Sequence, residues 1–305
     1  MISWVGIDVS KSNLVVWVKP QNEGFEVSNT SEGFLELTQR LSQFDIGLVL
    51  LEATGGYERN AMAALQGAAF KVHRVNPRRS RYFAVAIGKN AKTDAIDAAV
   101  LADFAEVLNT SRGRAMSPQR EALRELIQQR EHFVQQRDDN KRRLQQAQLP
   151  AVTELIRGHI RFLQTQIKQL DKTIHQGMLE LDAEKAERLI SVKGIGTVAT
   201  ASLLVYLPEL GELDRREVAA LAGVAPLNDD SGDHSGKREI YGGRARVRRA
   251  LYMACWVVIR HQADFKARYE GLRTRGKSAK VALIACMRVL LIRLNAMLRD
   301  GTEWR

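Results

Sequence analysis

Apolar positions in the first hundred residues switch between a period of two and a period near 3.6. "ISWVGIDVS" and "NLVVWVKP" are rich in β-branched residues and Trp, and "KSN" between them suits a hairpin. "GFEVSNT" predicts a third strand. In "SEGFLELTQRLSQF", Phe34, Leu37, Leu41 and Phe44 form one helical stripe, with Ser31 as the expected N-cap. "IGLVLLEAT" is a continuous apolar run, the signature of a strand buried on both faces. A helix at "YERNAMAALQGAAF", a strand at "KVHRVNP" stopped by Pro77, and a helix at "KTDAIDAAVLADFAEVL" capped by Thr93 complete a mixed α/β layer fold.

Beyond about Ser117 every pattern is helical. A long polar helix leads to Pro150, the expected turn of a hairpin. Ile156, Ile160, Leu163, Ile167, Leu170, Ile174, Met178 and Leu181 then recur at 4- and 3-residue spacing, an a/d seam. A seam this narrow predicts a dimerising coiled coil, with a hairpin closed on itself as the alternative. "LISVKGIGTVATASLLVYLPEL" resembles a helix-hairpin-helix unit, whose glycines let backbone N–H groups approach a phosphate; a purely structural tight turn explains it equally well. The expected organisation is an α/β domain over 1–112, a helical coiled-coil region over 113–186 and a mainly helical domain over 187–305.

Charge sharpens this picture. The net charge of +11 points to an acidic partner. From residue 224 onward there are 17 Lys and Arg against eight Asp and Glu, so most of the excess lies in the last quarter. That quarter also contains "ALYMACWVVI" and "VALIACMRVLLIRL", so it reads as a folded basic domain and not a tail. Cys255 and Cys286 lie in apolar helical runs without partners at metal-ligand spacing, which predicts buried reduced thiols of a cytoplasmic protein. The first residues lack a signal-peptide pattern, and no apolar run is expected to span a bilayer.

Four carboxylates occupy telling positions. Asp8 ends the first strand, Glu52 ends the buried strand before "ATGGY", and Asp94 and Asp97 share one face of a helix. Acids at two strand ends plus a helical pair form the donor set of a two-metal phosphoryl-transfer site, because hard cations need clustered oxygens. Singly, each also fits a cap, an ion pair or a solvated charge. "NPRRSRYF" interleaves Arg78, Arg79 and Arg81 with Tyr82 and Phe83, suiting phosphate contact and base stacking, and Lys89 and Lys92 follow beside the acidic pair. In "NDDSGDHSGKREIYGGR", Ser231 and Ser235 each precede glycine. Lys237, Arg238, Arg244, Arg246, Arg248, Arg249, Lys277 and Lys280 are the expected phosphate contacts of this region.

The motifs "GIDVSK", "LEATGGYE", "VNPRRSRYFA", "KTDAIDAAVLADFA", "LAGVAPLNDDSG" and "GKREIYGGRARVRRALYMA", in this order, resemble the DEDD-type insertion-sequence transposases. These are bridge-RNA-guided serine recombinases related to the Piv-type DNA invertases. The resemblance implies a RuvC-like (RNase H-type) first domain binding Mg²⁺ through Asp8, Glu52, Asp94 and Asp97, a coiled-coil middle that builds dimers and tetramers, and a C-terminal transposase domain. The "SG" nucleophile falls on Ser231, with Ser235 the competing position. It further implies double-stranded donor and target DNA and a guide RNA as partners, no membrane, and a nucleoid-associated prokaryotic setting. Rival readings are a RuvC-like structure-specific nuclease without a covalent intermediate, a nucleoid-binding coiled-coil protein, and an actin-like kinase suggested by "GIDVSK" alone.

Overall fold

The computed structural model describes residues 1–89, 93–108, 117–227, 230–231, 234–235 and 239–304, with backbone alone at 227, 230–231 and 234–235. The chain divides into two compact units, Met1–Ala115 and Met116–Arg305.

In the first unit, β1 (Ile2–Val9), β2 (Asn13–Lys19) and β3 (Glu23–Ser28) form an antiparallel meander; α1 (Ser31–Leu41) follows. Thr30, one residue earlier than expected, caps α1 by accepting the Gly33 N–H. Then come β4 (Asp45–Glu52), α2 (Glu58–Gly67), β5 (Val72–Val75), α3 (Pro77–Ala86) and α4 (Asp94–Leu108). β4 lies parallel to β1 and β5 parallel to β4, giving the order β3-β2-β1-β4-β5.

Strand alternation sorts the side chains onto two faces. Val5, Ile7 and Val9 of β1, with Val49 and Leu51 of β4, share a core with Leu37, Leu41, Ala61 and Leu65 of α1 and α2. Leu48 and Leu50 point to the other face, against Leu101, Phe104 and Ala105 of α4. β4 is thus buried on both sides. On that second face β1 presents Gly6, and α4 crosses it closely: a Cβ there would stand 2.1 Å from the Ala98 carbonyl oxygen and 2.3 Å from the Ala102 nitrogen.

The second unit opens with α5 (Pro118–Gln146) and α6 (Pro150–Ser191), paired antiparallel. Arg130 on α5 reaches Asp171 on α6 at 2.5 Å, and the buried Asn140 meets His159 at 3.3 Å. Ile156, Ile160, Leu163, Ile167, Ile174 and Met178 of the seam are buried within the single chain. α5 therefore fills the place that a second chain was expected to take at the seam. Leu155 and Phe162, one heptad apart on α6, stay exposed. α6 breaks at Asp182 (φ −168°, ψ 89°), whose carboxylate caps the second segment by accepting the Lys185 N–H at 3.0 Å.

α7 (Thr197–Tyr206), α8 (Arg215–Leu221), β6 (Pro226–Leu227), β7 (Asp230–Ser231), β8 (His234–Ser235), β9 (Glu239–Ile240), α9 (Ala245–His261), α10 (Ala263–Thr274) and α11 (Ala279–Asp300) complete the unit. One core joins the base of the hairpin (Leu123, Ile127, Ile174, Met178) to Leu203, Leu251, Val258, Met287 and Leu290. Contrary to expectation, α11 is long and apolar enough by length and composition to cross a membrane. Its Leu283, Cys286, Leu290, Leu291 and Leu294 are nevertheless buried in this core. Cys255 and Cys286 are free and buried, and burial pushes the Cys255 thiol up to about 12.

Gly6→Ala should destabilise the first unit by roughly 3 kcal/mol, the upper range for overpacking against backbone. A shifted denaturant midpoint of the full chain reads this; an unchanged midpoint would mean that α4 steps aside freely.

Candidate functional site

The crossing of α4 over Gly6 creates the site. Asp8 lies two residues beyond Gly6 on the same face of β1, and Glu52 two residues beyond Leu50 on the same face of β4. Both sit at C-terminal strand ends. The first turn of α4 holds Asp94 and Asp97, where the helix dipole favours negative charge. Thr93 accepts the Ile96 N–H at 3.3 Å, as its expected capping role requires.

Asp8, Glu52, Asp94 and Asp97 all line one cavity of about 640 Å³, with Ser10, Thr54, Ser80 and Arg81 also on its wall. Burial, and then the charges of Asp94, Asp97 and Glu52, push the Asp8 carboxyl up to about 6. Among the described residues no three His, Cys, Asp or Glu side chains converge closely enough to hold one ion as they stand. The donor set consists of hard oxygens, and the neighbouring carboxylates add to burial in raising Asp8. Such a donor set suits a divalent cation of the Mg²⁺ or Mn²⁺ type.

Two side chains that sequence reasoning passed over support Glu52. Ser80, buried on the inner face of α3 with Ala84, donates its hydroxyl to Glu52 Oε2 at 2.5 Å. Glu58, 2% exposed, accepts the Thr54 and Gly56 N–H groups at 3.1 and 2.9 Å and pairs with Arg74 at 3.0 Å. Burial pulls the Glu58 carboxyl upward, but the backbone amides and Arg74 outweigh it and hold it below its usual value. The "TGG" turn after Glu52 is thereby fixed, with Gly55 and Gly56 at φ +64° and +110°. The signal for Ser80 is a small residue at i, i+4 from Ala84 within an otherwise basic helix.

The basic residues divide into two groups. Arg78, Arg79 and Arg81 are exposed on α3 beside the exposed Tyr82. Phe83, expected to stack on bases, instead stacks on Phe104 at 4.5 Å. Lys89 does not stand with Asp94 and Asp97: its amine is 3.0 Å from Asp103, which also holds Lys19 at 2.7 Å. In the second unit Arg244 binds Glu209 through two bonds of 2.6 and 2.7 Å and donates to the Tyr206 carbonyl. Arg246 reaches Glu131 at 2.9 Å and the Tyr206 hydroxyl at 2.8 Å, and Arg248 donates to the Gly242 carbonyl at 2.8 Å. These three tie the unit together. Arg249, Lys277 and Lys280 face solvent. Lys92, Lys237 and Arg238 lie outside the described residues.

In the "GIG" turn, Gly194 has φ +112°, and a Cβ there would stand 2.7 Å from Val258 Cγ2, so packing against α9 explains this glycine. Gly196 has open space. The stretch around Ser231 includes two short strand pairs. β6 pairs with β9, and β7 with β8, in a register that sets Ser231 opposite His234 and Asp230 opposite Ser235. The side chains of Ser231 and Ser235, and residues Gly232 and Asp233, lie outside the described residues.

Comparison with known proteins gives two family matches in sequence order. A DEDD transposase model of the IS110 type matches residues 5–151, and the IS116/IS110/IS902 transposase family matches residues 186–270. Over its whole length the chain is similar to the Pilin gene-inverting protein of Moraxella lacunata, 29% identical, with 98% of this chain and 96% of the relative covered. The Pilin gene-inverting protein of Moraxella bovis matches at the same identity and coverage. The insertion element IS110 uncharacterized 43.6 kDa protein of Streptomyces coelicolor is 31% identical over 37% of this chain and 29% of its own length.

The raised Asp8 makes a stability prediction. Below about pH 4 folded and unfolded chains both hold its proton; above about pH 6 the folded chain must carry a charge it disfavours. In EDTA, Asp8→Asn should melt higher than the parent at pH 8, with the gap closing towards pH 4. A gap independent of pH would show that Asp8 is not under this strain.

Proposed function

We propose that this chain, matched in order by two IS110-type transposase models over residues 5–151 and 186–270, cleaves and exchanges strands between donor and target DNA, guided by a structured RNA, through a covalent phosphoserine link. Transposase or recombinase function is supported by both matched domains and by the two Pilin gene-inverting relatives. The DEDD family suggests dependence on a divalent metal, and Mg²⁺ is the ion proposed. The observation that carries the proposal is the meeting of Asp8, Glu52, Asp94 and Asp97 at one cavity. A RuvC-like first domain is supported by the same carboxylates at the ends of two adjacent parallel strands, beside an antiparallel meander.

Asp8, Glu52, Asp94 and Asp97 would hold the metal, which supplies charge to a phosphate oxygen and so eases attack on phosphorus. The serine hydroxyl at Ser231 forms a bond to that phosphorus. The bond to one deoxyribose oxygen breaks, and that oxygen leaves with a proton. One phosphodiester is exchanged for another, so bond energy is conserved and the strand can be rejoined without ATP. A serine is a weak nucleophile until a base or a metal activates it. Arg78, Arg79 and Arg81 on α3, and Arg249, Lys277 and Lys280 in the second unit, are the solvent-facing cations for nucleic-acid phosphates. Leu155 and Phe162 offer apolar surface for a second copy, in line with a dimer assembling to a tetramer.

With Mg²⁺, guide RNA and a nicked suicide DNA, Ser231→Ala should trap no protein–DNA adduct, while Ser235→Ala still does. Loss in Ser235→Ala alone reassigns the nucleophile. No adduct in the parent chain, with cleavage intact, instead indicates a metal-dependent nuclease. Mixing Ser231→Ala with Asp94→Ala subunits should restore strand exchange if two chains build each site; a dead mixture would count against sharing.

A further inference from the structure

We propose that Ser80 is a positioning residue: its hydroxyl sets the angle at which Glu52 presents its carboxylate to the cavity, and ties that acid to the basic helix α3. The inference rests on the assignment of Glu52 as a metal-holding residue. The geometry is specific. Ser80 Oγ carries a single hydrogen and has two acceptors in reach, Glu52 Oε2 at 2.5 Å and the Pro77 carbonyl at 3.0 Å. The second is the ordinary back-bond of a helical serine. The first is the length of a hydroxyl bonded to a charged carboxylate and is the stronger of the two. Ser80 is only 5% exposed and lines the same cavity as the four acids.

The backbone holds this hydroxyl where it is needed. Pro77 occupies the first turn of α3 and Asn76 caps it, accepting the Arg78 N–H at 2.9 Å. The inner face of the helix is Ser80 and Ala84; Arg78 and Arg79 lie outward, and Arg81 is exposed at the cavity wall. One rigid turn therefore carries both the cations that face solvent and the hydroxyl that grips Glu52. Partners that orient a ligating carboxylate typically contribute 10- to 100-fold to metal affinity.

The test is Mn²⁺ binding to the full chain, followed by the EPR signal of the free ion, with thermal melting on the same samples. Glu52→Gln should weaken binding at least as much as any Ser80 variant, which checks the underlying assignment. Ser80→Ala should weaken Mn²⁺ binding about 10- to 100-fold. Ser80→Cys, which keeps the volume but donates weakly, should resemble Ser80→Ala, and Ser80→Thr should recover most of the affinity. Binding like the parent in Ser80→Ala, with loss in Glu52→Gln, overturns the proposal alone. Recovery by Cys and not by Thr would mean that packing matters and the hydroxyl does not, which also overturns it. Parent-like binding in Glu52→Gln removes the metal assignment, and the proposal with it.

Discussion

The close crossing of α4 over Gly6 is the constraint on which the first unit depends. An α-helix ordinarily packs on a sheet through side chains; here its backbone comes to within a Cβ's reach of β1. That approach sets the height of the first turn of α4 above the ends of β1 and β4. Asp94 and Asp97 then face Asp8 and Glu52 across one cavity. The arrangement is electrostatically unfavourable by itself, as the raised Asp8 records. It is held by apolar layers on both sides of the sheet, by the dipole of α4, and by the clamp that Glu58 and Arg74 place on the turn after Glu52. Stability generated elsewhere in the unit is stored as crowded negative charge at its rim.

In the second unit the main question is which arginines are free. Net charge suggests a broadly basic surface, yet Arg244, Arg246 and Arg248 are committed to Glu209, Glu131, Tyr206 and main-chain carbonyls. Each bonds an acceptor on another segment of the same unit. Removing one would loosen the frame around α9 before it weakened any contact with a ligand. The surface available to phosphates is accordingly smaller and more localised than the +11 total implies.

Much of this was legible in the sequence. Runs rich in β-branched residues and Trp marked β1 and β2, and the continuous apolar run of β4 marked a strand covered twice. The four acids could be read because strand ends and helix faces fix where side chains point. Pairings made through space were not legible. Ser80 looks like one polar residue in a basic run, and its burial and its bond to Glu52 separate it from the exposed Arg79 and Arg81. Lys89 lies near Asp94 in sequence, but folds onto Asp103. The α6 seam carried the right period and an ambiguous partner, because heptads specify that a helix is needed and not which chain supplies it.

The α5–α6 hairpin has a mechanical consequence. From Pro150 to the break at Asp182, α6 runs uninterrupted for roughly 30 residues, about 48 Å at 1.5 Å per residue. Its seam is filled from within the chain, so this length is kept by backbone hydrogen bonds and α5, and no second chain is needed to stiffen it. The arm is a ruler: α6 enters the core at Ile174, so whatever the tip at Pro150 holds is kept about 36 Å away, on the order of 11 base pairs of duplex.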